Sequence, residues 1–141
     1  MISELLVDNF KLFAKETKFS GLKSINLLTG VNGRGKSSTL QPLLLFKQTL
    51  LRSRSSRQLF LSGSFVDLGN AYDVKHVDAS VSKPIRIGFK EREDNYVYTL
   101  AIVSDNNQSL EIKRFESQGQ SKWSVDVDDS TVIQDLVPVH E

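Results

Sequence analysis

The stretch Gly30-Val-Asn-Gly-Arg-Gly-Lys-Ser37 decides the fold of the surrounding chain. It matches the pattern G-x-x-x-x-G-K-[ST] without gaps, between an apolar run at 24–29 and an apolar helical pattern at about 36–51. A strand, a glycine-rich loop and a helix in this order are typical of loops that surround phosphate groups. We therefore expect a buried strand over 24–29, a loop from Gly30 to Gly35, and a helix that is covered on most sides.

The residue types of this loop suit a polyphosphate ligand. Gly33 and Gly35 let the backbone curl and approach a ligand without Cβ clashes, so that successive N–H groups point inward. The positive end of the following helix contributes further N–H groups. We expect Lys36 to bridge the β- and γ-phosphates, Ser37 to bind Mg²⁺ through its hydroxyl, and Ser38 to reach an α-phosphate oxygen.

Two other residues of the loop leave alternatives open. Asn32 either holds the loop by bonding its side chain to the backbone or is a plain turn former. Arg34 is expected to point to solvent or to a partner, and direct contact with the ligand is the alternative. The predicted binding residues are therefore Asn32, Gly33, Arg34, Gly35, Lys36, Ser37 and Ser38.

The rest of the chain shows the period of β-strands. Runs at 1–8 and 11–19 predict two strands before the loop. In the second half, apolar residues alternate with polar ones at 85–89, 95–103, 109–115 and 121–127, and turn-forming segments of about five residues join these runs. No helical sequence lies between them, so we predict an antiparallel meander.

These patterns give an α/β (α+β) fold class, with a mixed sheet around one helix and an antiparallel β-meander. The length of 141 residues suits one domain. We expect a single nucleotide-binding lobe over 1–141. In it, 1–60 hold the first strands, the loop and the helix, 61–127 form the antiparallel subdomain, and 128–141 are a tail without clear period.

Composition excludes several classes of site and suggests the type of ligand. The chain has no cysteine and two histidines, which excludes disulfides, thiolate metal sites and histidine-rich zinc sites. Residues 1–60 carry a net charge of +7 and residues 61–141 a net charge of −6. A basic first half suits phosphate ligands. Without a signal peptide pattern or a membrane-spanning run, we expect a cytoplasmic protein with no membrane partner.

Two stretches of the sequence together resemble a known family. Leu5-Leu-Val-Asp-Asn-Phe-Lys-Leu-Phe13 and Ile25-Asn-Leu-Leu-Thr-Gly-Val-Asn-Gly-Arg-Gly-Lys-Ser-Ser38 resemble the N-terminal lobe of ABC-type ATPase heads of the RecF, SMC and OLD-nuclease group, a branch of the AAA family ATPases. Further similarity at 40–49 and 61–69 points to a prokaryotic branch with members in phage defence. The resemblance covers about residues 1–77. It implies a P-loop NTPase fold, a Walker A loop, the cofactors ATP and Mg²⁺, and a role in DNA maintenance or defence.

Other parts of such a head are not found in this sequence. Leu61–Ser64 resembles a signature motif, but no helical sequence follows it. Runs ending at Asp105 and at 124–129 approach a Walker B pattern, and we interpret them as a hairpin and a half-exposed strand. His76 and His140 are expected at the surface. We therefore identify no catalytic residue, and expect hydrolysis to need a C-terminal lobe, in cis or in trans, and a head-to-head homodimer.

Several weaker assignments follow from the resemblance or from residue type. Asn9 and Lys11 are expected near the nucleotide. The Q-loop glutamine is not placed by the sequence, with Gln48 and Gln134 as the two candidates considered. The tyrosines and the tryptophan of the meander are expected in the core rather than stacked on bases, and three arginines either contact DNA or lie in a solvated loop. These residues are Tyr96, Tyr98 and Trp123, and Arg52, Arg54 and Arg57. A P-loop phosphotransferase and an interaction module with a vestigial loop remain alternative functions.

Overall fold

The computed structural model describes residues 1–53, 57–80, 82–103, 109–119 and 122–128. These residues form seven strands and two helices in a mixed α and β architecture. In chain order the elements are β1 (Ile2–Asp8), β2 (Thr17–Ser20), α1 (Lys36–Arg52), β3 (Gln58–Leu59), α2 (Ala71–Val74), β4 (Ile85–Glu91), β5 (Asp94–Val103), β6 (Ser109–Gln118) and β7 (Lys122–Asp126).

The described strands form one sheet in the order β2-β1-β4-β5-β6-β3, and β7 pairs with β6 beside β3. Every pairing in it is antiparallel. The expectation of a mixed sheet is therefore wrong for the described residues. Strand β1 lies between β2 and β4, so the N-terminal segment and the later meander share this sheet.

The predicted meander is confirmed. Strands β4 to β7 pair in sequence order, because alternating side chains place one apolar face against the core and short turns return the chain. Arg92 occupies the turn between β4 and β5 with a φ of 55°. Strand β6 continues to Gln118, three residues beyond the predicted end, so fewer residues than expected join it to β7.

Helix α1 packs one face on the sheet. The Phe46 ring lies 4.7 Å from the Tyr98 ring of β5 and 5.4 Å from the Phe89 ring of β4, measured between centroids. Leu45 is also buried in this core. The predicted helix is confirmed, but the expectation that it is covered on most sides is wrong, because Leu40 and Leu51 remain exposed.

The aromatic residues of the meander lie mainly where core packing was expected. Tyr98 is buried and contacts Phe115 at 4.8 Å between ring centroids, while Tyr96 stacks on the same ring at 6.0 Å. Burial raises the pKa of Tyr98. Trp123 packs on Phe115 at 5.2 Å but is exposed, because β7 lies at the edge of the sheet. The expectation of a core position is therefore wrong for Trp123.

The predicted strand over 11–19 is shorter than expected. Only Thr17–Ser20 pair with β1. Before them, Asn9 and Lys11 have positive φ values of 56° and 50°. Phe10 and Phe13 exchange two backbone hydrogen bonds of 3.1 and 2.8 Å. The two left-handed residues and the two hydrogen bonds between Phe10 and Phe13 form a tight turn. This turn ends the extended conformation of strand β1.

The predicted buried strand over 24–29 is also wrong for this structure. The segment pairs with no described strand, and the side chains of Ile25 and Leu27 are 90% and 87% exposed. An apolar sequence forms a buried strand only when neighbouring strands supply backbone partners and cover its faces. No described element supplies them here.

Several sequence assignments lie outside the described residues. They are Arg54, Asp105, Asp129, Gln134, His140 and all of the 128–141 tail beyond Asp128.

The last described part of the chain, after β7, is anchored by Val127, which is buried and donates its N–H to the carbonyl of Lys113 at 2.9 Å. Within the described ranges, no helix is long and apolar enough to cross a membrane.

The segment after β3 is fixed to helix α1 by two side chains. Gln48 is buried, donates to the carbonyl of Phe60 at 2.5 Å, and accepts from the N–H of Val66 at 3.1 Å. The hydroxyl of Thr49 accepts from the N–H of Phe60 at 3.0 Å. These bonds satisfy backbone groups that the loop itself leaves unpaired.

We predict that Gln48→Leu lowers the free energy of unfolding by about 1–3 kcal/mol, because two backbone groups lose their partners at a buried position. Urea denaturation measures the change. The control is Gln118→Leu, at an exposed position of β6, which is expected to stay within about 0.5 kcal/mol of wild type. Equal effects of the two substitutions would contradict a structural role for the Gln48 amide.

Candidate functional site

The glycine loop leads directly into helix α1. Gly30, Gly33 and Gly35 have positive φ values of 150°, 80° and 89°. The left-handed conformation of Gly35 forms the N-cap of the helix, where the chain changes from loop to helix direction. Other residue types adopt such φ values only at a cost, which explains why glycines recur in this loop.

The start of helix α1 has backbone donors without acceptors. The first helical hydrogen bond runs from the N–H of Thr39 to the carbonyl of Gly35 at 2.9 Å. No side chain caps the helix, and its first turn has no acidic residue. Among the described residues, the N–H groups of Lys36, Ser37 and Ser38 therefore have no bonded acceptor. Free N–H groups at the positive end of a helix attract anions.

The side chain of Lys36 folds back over the loop. Its amine donates to the carbonyl of Gly30 and, at 3.2 Å, to Oδ1 of Asn32. Among the described carboxylates none forms a salt bridge with this amine. Asn32 thus bonds the Lys36 amine rather than the loop backbone. The amine, held only by neutral oxygens, keeps its positive charge uncompensated.

The side chains of the remaining predicted binding residues reach the surface. Arg34 and Ser37 are exposed, and Ser38 is partly exposed. At Gly33 an added Cβ would meet no atom within 4 Å, so the outer side of the loop is open. Open space at Gly33, unpaired N–H groups at 36–38 and an uncompensated Lys36 amine occur within one short stretch of chain, and these are the groups that a polyphosphate needs. The Ser37 hydroxyl, at the same helix end, fits a magnesium ligand.

Sequence reasoning missed the support beneath the loop. A Cβ added at Gly35 would lie 3.3 Å from Cζ of Phe13 and 3.9 Å from Cδ1 of Leu12. Both side chains come from the turn at 9–13. The signal in the sequence was the stretch Asn9-Phe-Lys-Leu-Phe13, of which we assigned a role to Asn9 and Lys11 but not to Phe13.

Asn9 and Lys11 have contacts directed at another segment. Asn9 is buried and donates to the carbonyls of Lys83 and Pro84 at 3.0 and 3.2 Å. The N–H of Lys11 donates to Val74 at 2.8 Å, and its amine lies 3.4 Å from the carbonyl of Leu68. These bonds fix the turn to the 68–84 segment, and none of them involves the glycine loop.

The other weak assignments are not brought together with the loop. Gln48 is bonded to Phe60 and Val66, so its amide holds a loop in place. Leu61–Ser64 lie in a loop without helix, as expected. Arg52 stacks on the Phe60 ring at 4.4 Å, and Arg57 pairs with Glu111 at 3.1 Å. His76 is partly exposed. Within the described parts of the chain, no group of three acidic or histidine side chains could hold a metal ion.

Two of the three loop glycines, Gly33 and Gly35, give a matched pair of substitutions. We predict that Gly33→Ala costs about 1 kcal/mol of unfolding free energy, from the left-handed φ alone. Gly35→Ala is expected to cost at least about 1 kcal/mol more, because the new Cβ also presses on the Phe13 ring. Chemical denaturation compares the two variants. A Gly35→Ala variant as stable as Gly33→Ala would contradict the contact with Phe13.

The comparison with protein families identifies the chain. A family model described as an AAA ATPase domain matches residues 1–136. No curated protein and no solved structure gives a significant match. Membership implies a P-loop fold and the use of ATP, usually with Mg²⁺. Because the match spans nearly the whole sequence, the chain belongs to the AAA ATPase domain family, and its general function is that of a nucleotide-binding ATPase.

Proposed function

We propose that the loop from Gly30 to Ser38 is a Walker A loop that binds the triphosphate of ATP. The observation that carries this proposal is the position of the Lys36 amine. It lies over the loop, bonded to Gly30 and Asn32, without a carboxylate partner among the described residues. An entering phosphate replaces these neutral acceptors with anionic oxygens, which adds a Coulomb attraction between opposite charges to each hydrogen bond of the amine.

Each predicted residue then has a defined role. The backbone N–H groups of Gly33 and of 35–38 surround the phosphates, and Lys36 bridges the β- and γ-phosphates as a point charge. The N–H of Arg34 instead donates to the carbonyl of Val31 at 3.4 Å. The Ser37 hydroxyl would hold Mg²⁺, which would supply neutralisation of phosphate charge when ATP is bound. Ser38 reaches an α-phosphate oxygen. Arg34 is exposed and directed to solvent or to a partner.

We propose further that this chain forms one nucleotide-binding lobe, and that hydrolysis needs a second lobe. The described residues present neither a signature helix nor a Walker B strand. The closest described approach to Walker B, Leu100–Val103, lies in β5 between two antiparallel neighbours, β4 and β6. We identify no catalytic residue in this chain. The missing groups are assigned to a C-terminal lobe, in cis or in trans.

The exposed segment at 24–31 supports this assignment. Beside its exposed Ile25 and Leu27, a groove of about 360 Å³ opens between helix α1 and strands β1 and β2. Its apolar lining residues are Leu5, Phe19, Leu22, Leu28, Leu40 and Leu43. Exposed apolar patches of this kind mark interaction sites. We propose that an apolar β-strand of the second lobe pairs with 24–29 and covers the groove.

The wider role follows from the resemblance to ABC-type heads of the RecF, SMC and OLD group. On this basis we propose a head that acts in DNA maintenance or phage defence in the cytoplasm, and that forms a head-to-head homodimer when complete. DNA is a further proposed ligand. The alternative of a phosphotransferase expects parallel β-α units, and the described sheet is antiparallel throughout. An interaction module with a vestigial loop is tested by nucleotide binding.

We predict that ATP with Mg²⁺ raises the melting temperature of the chain and that Lys36→Ala removes most of this rise. Ligand at about 100 times its Kd stabilises the folded state by about 2.7 kcal/mol. Loss of the amine is expected to weaken binding at least about tenfold. The control is Lys47→Ala, in the same helix, whose amine stacks on Phe65. No rise at millimolar ATP for wild type would favour the vestigial module.

We also predict that the chain alone, with ATP and Mg²⁺, shows no turnover above the spontaneous rate, because the second lobe supplies the groups that act on the γ-phosphate. A phosphate-release assay at saturating ATP measures this. Brisk magnesium-dependent release from wild type that Lys36→Ala abolishes would prove the proposed incompleteness wrong.

A further inference from the structure

The turn at 9–13 is anchored on two sides before it reaches the glycine loop. Its own backbone is closed by the pair of hydrogen bonds between Phe10 and Phe13. From outside, Lys11 donates to Val74, and Phe10 forms a β-bridge with Lys75. Phe10 is fully buried. The last residue of the turn, Phe13, therefore projects from a fixed backbone.

The Phe13 ring lies directly against the N-cap of helix α1. Its Cζ and Cε1 atoms are 3.3 and 3.8 Å from the position of a Cβ at Gly35. A second restraint on Gly35 comes from Thr39, whose N–H and hydroxyl both bond the Gly35 carbonyl at 2.9 Å. Gly35 thus has an aromatic ring beside its Cα and accepts the first helical hydrogen bond.

The ring itself is held in place by a second aromatic residue. Phe13 and Phe19 meet edge to face, with centroids 5.6 Å apart and an interplanar angle of 79°. Such pairs favour one relative orientation. The three atoms nearest to a Cβ at Gly35 belong to Phe13 and Leu12, and none belongs to Phe19. The two rings can therefore be compared as neighbours in one pair, of which Phe13 supplies the atoms nearest to Gly35.

We propose that Phe13 is a positioning residue for phosphate binding. It holds Gly35 in its left-handed conformation, and this conformation directs the first N–H groups of helix α1 and the Lys36 amine toward one ligand position. The inference rests on the proposed function, because it assigns a role within that same site. Preorganised donors bind a ligand more tightly than donors that must first be ordered.

The test compares affinities for ATP with Mg²⁺ and for inorganic tripolyphosphate, measured by calorimetry on the full chain. We expect Phe13→Ala to weaken both affinities about tenfold, a cost of about 1.4 kcal/mol. The conservative Phe13→Leu, which keeps an apolar group near Gly35, restores them to within about twofold of wild type. Phe19→Ala leaves both within about twofold, although it also truncates a ring of the same pair.

Urea denaturation of each variant separates positioning from stability. The proposal requires that Phe13→Ala weakens binding more than Phe19→Ala when both variants are fully folded at the titration temperature. Should Phe13→Ala not fold, Phe13→Val replaces it and is expected to fall between wild type and the tenfold loss. Wild-type affinity in the Phe13 variants, or an equal loss in Phe19→Ala, would overturn the positioning role alone. Failure of wild type to bind either ligand would overturn the proposed function.

Discussion

The left-handed backbone of Gly35 is the constraint on which the candidate site depends. At this residue the chain turns from the glycine loop into helix α1. The direction of the first helical N–H groups, and the starting point of the Lys36 side chain, both follow from this turn. A residue with a Cβ would meet both an unfavourable φ and the Phe13 ring. The phosphate chemistry proposed for this loop therefore starts from a steric requirement at one position.

The antiparallel sheet and the site are linked through the turn at 9–13. Strand β1 pairs with β2 and β4, and the turn that follows it is bonded to the 68–84 segment. The same turn supplies the ring that lies beneath Gly35. Thus the sheet holds a support for the loop, while helix α1 is packed on the sheet through Phe46. The exposed apolar segment at 24–31 is covered by no described element, and the proposed second lobe would bury its apolar side chains.

Part of this architecture could be predicted from the sequence. Strict alternation with turn-forming residues predicted the meander, because the period of two is a property of each strand alone. The glycine spacing predicted the loop and the start of helix α1. The strand at 24–29 was predicted wrongly. Its apolar residues favour burial, but they do not specify which strands would pair with the segment and cover it. The left-handed Asn9 and Lys11 were missed, because contacts with 68–84, distant in sequence, stabilise their conformation. For the same reason, the role of Phe13 against Gly35 left no local pattern.

The most direct test is an NMR titration of the ¹⁵N-labelled chain with ATP and Mg²⁺, which follows each backbone amide separately. The central claim is that the N–H groups at the start of helix α1 and the Lys36 amine form one phosphate cradle. It predicts that the largest shift changes occur at Gly33 and at 35–38, with small changes on the outer strands. Saturable binding that leaves these amides unchanged, or no binding at millimolar nucleotide, would contradict the claim.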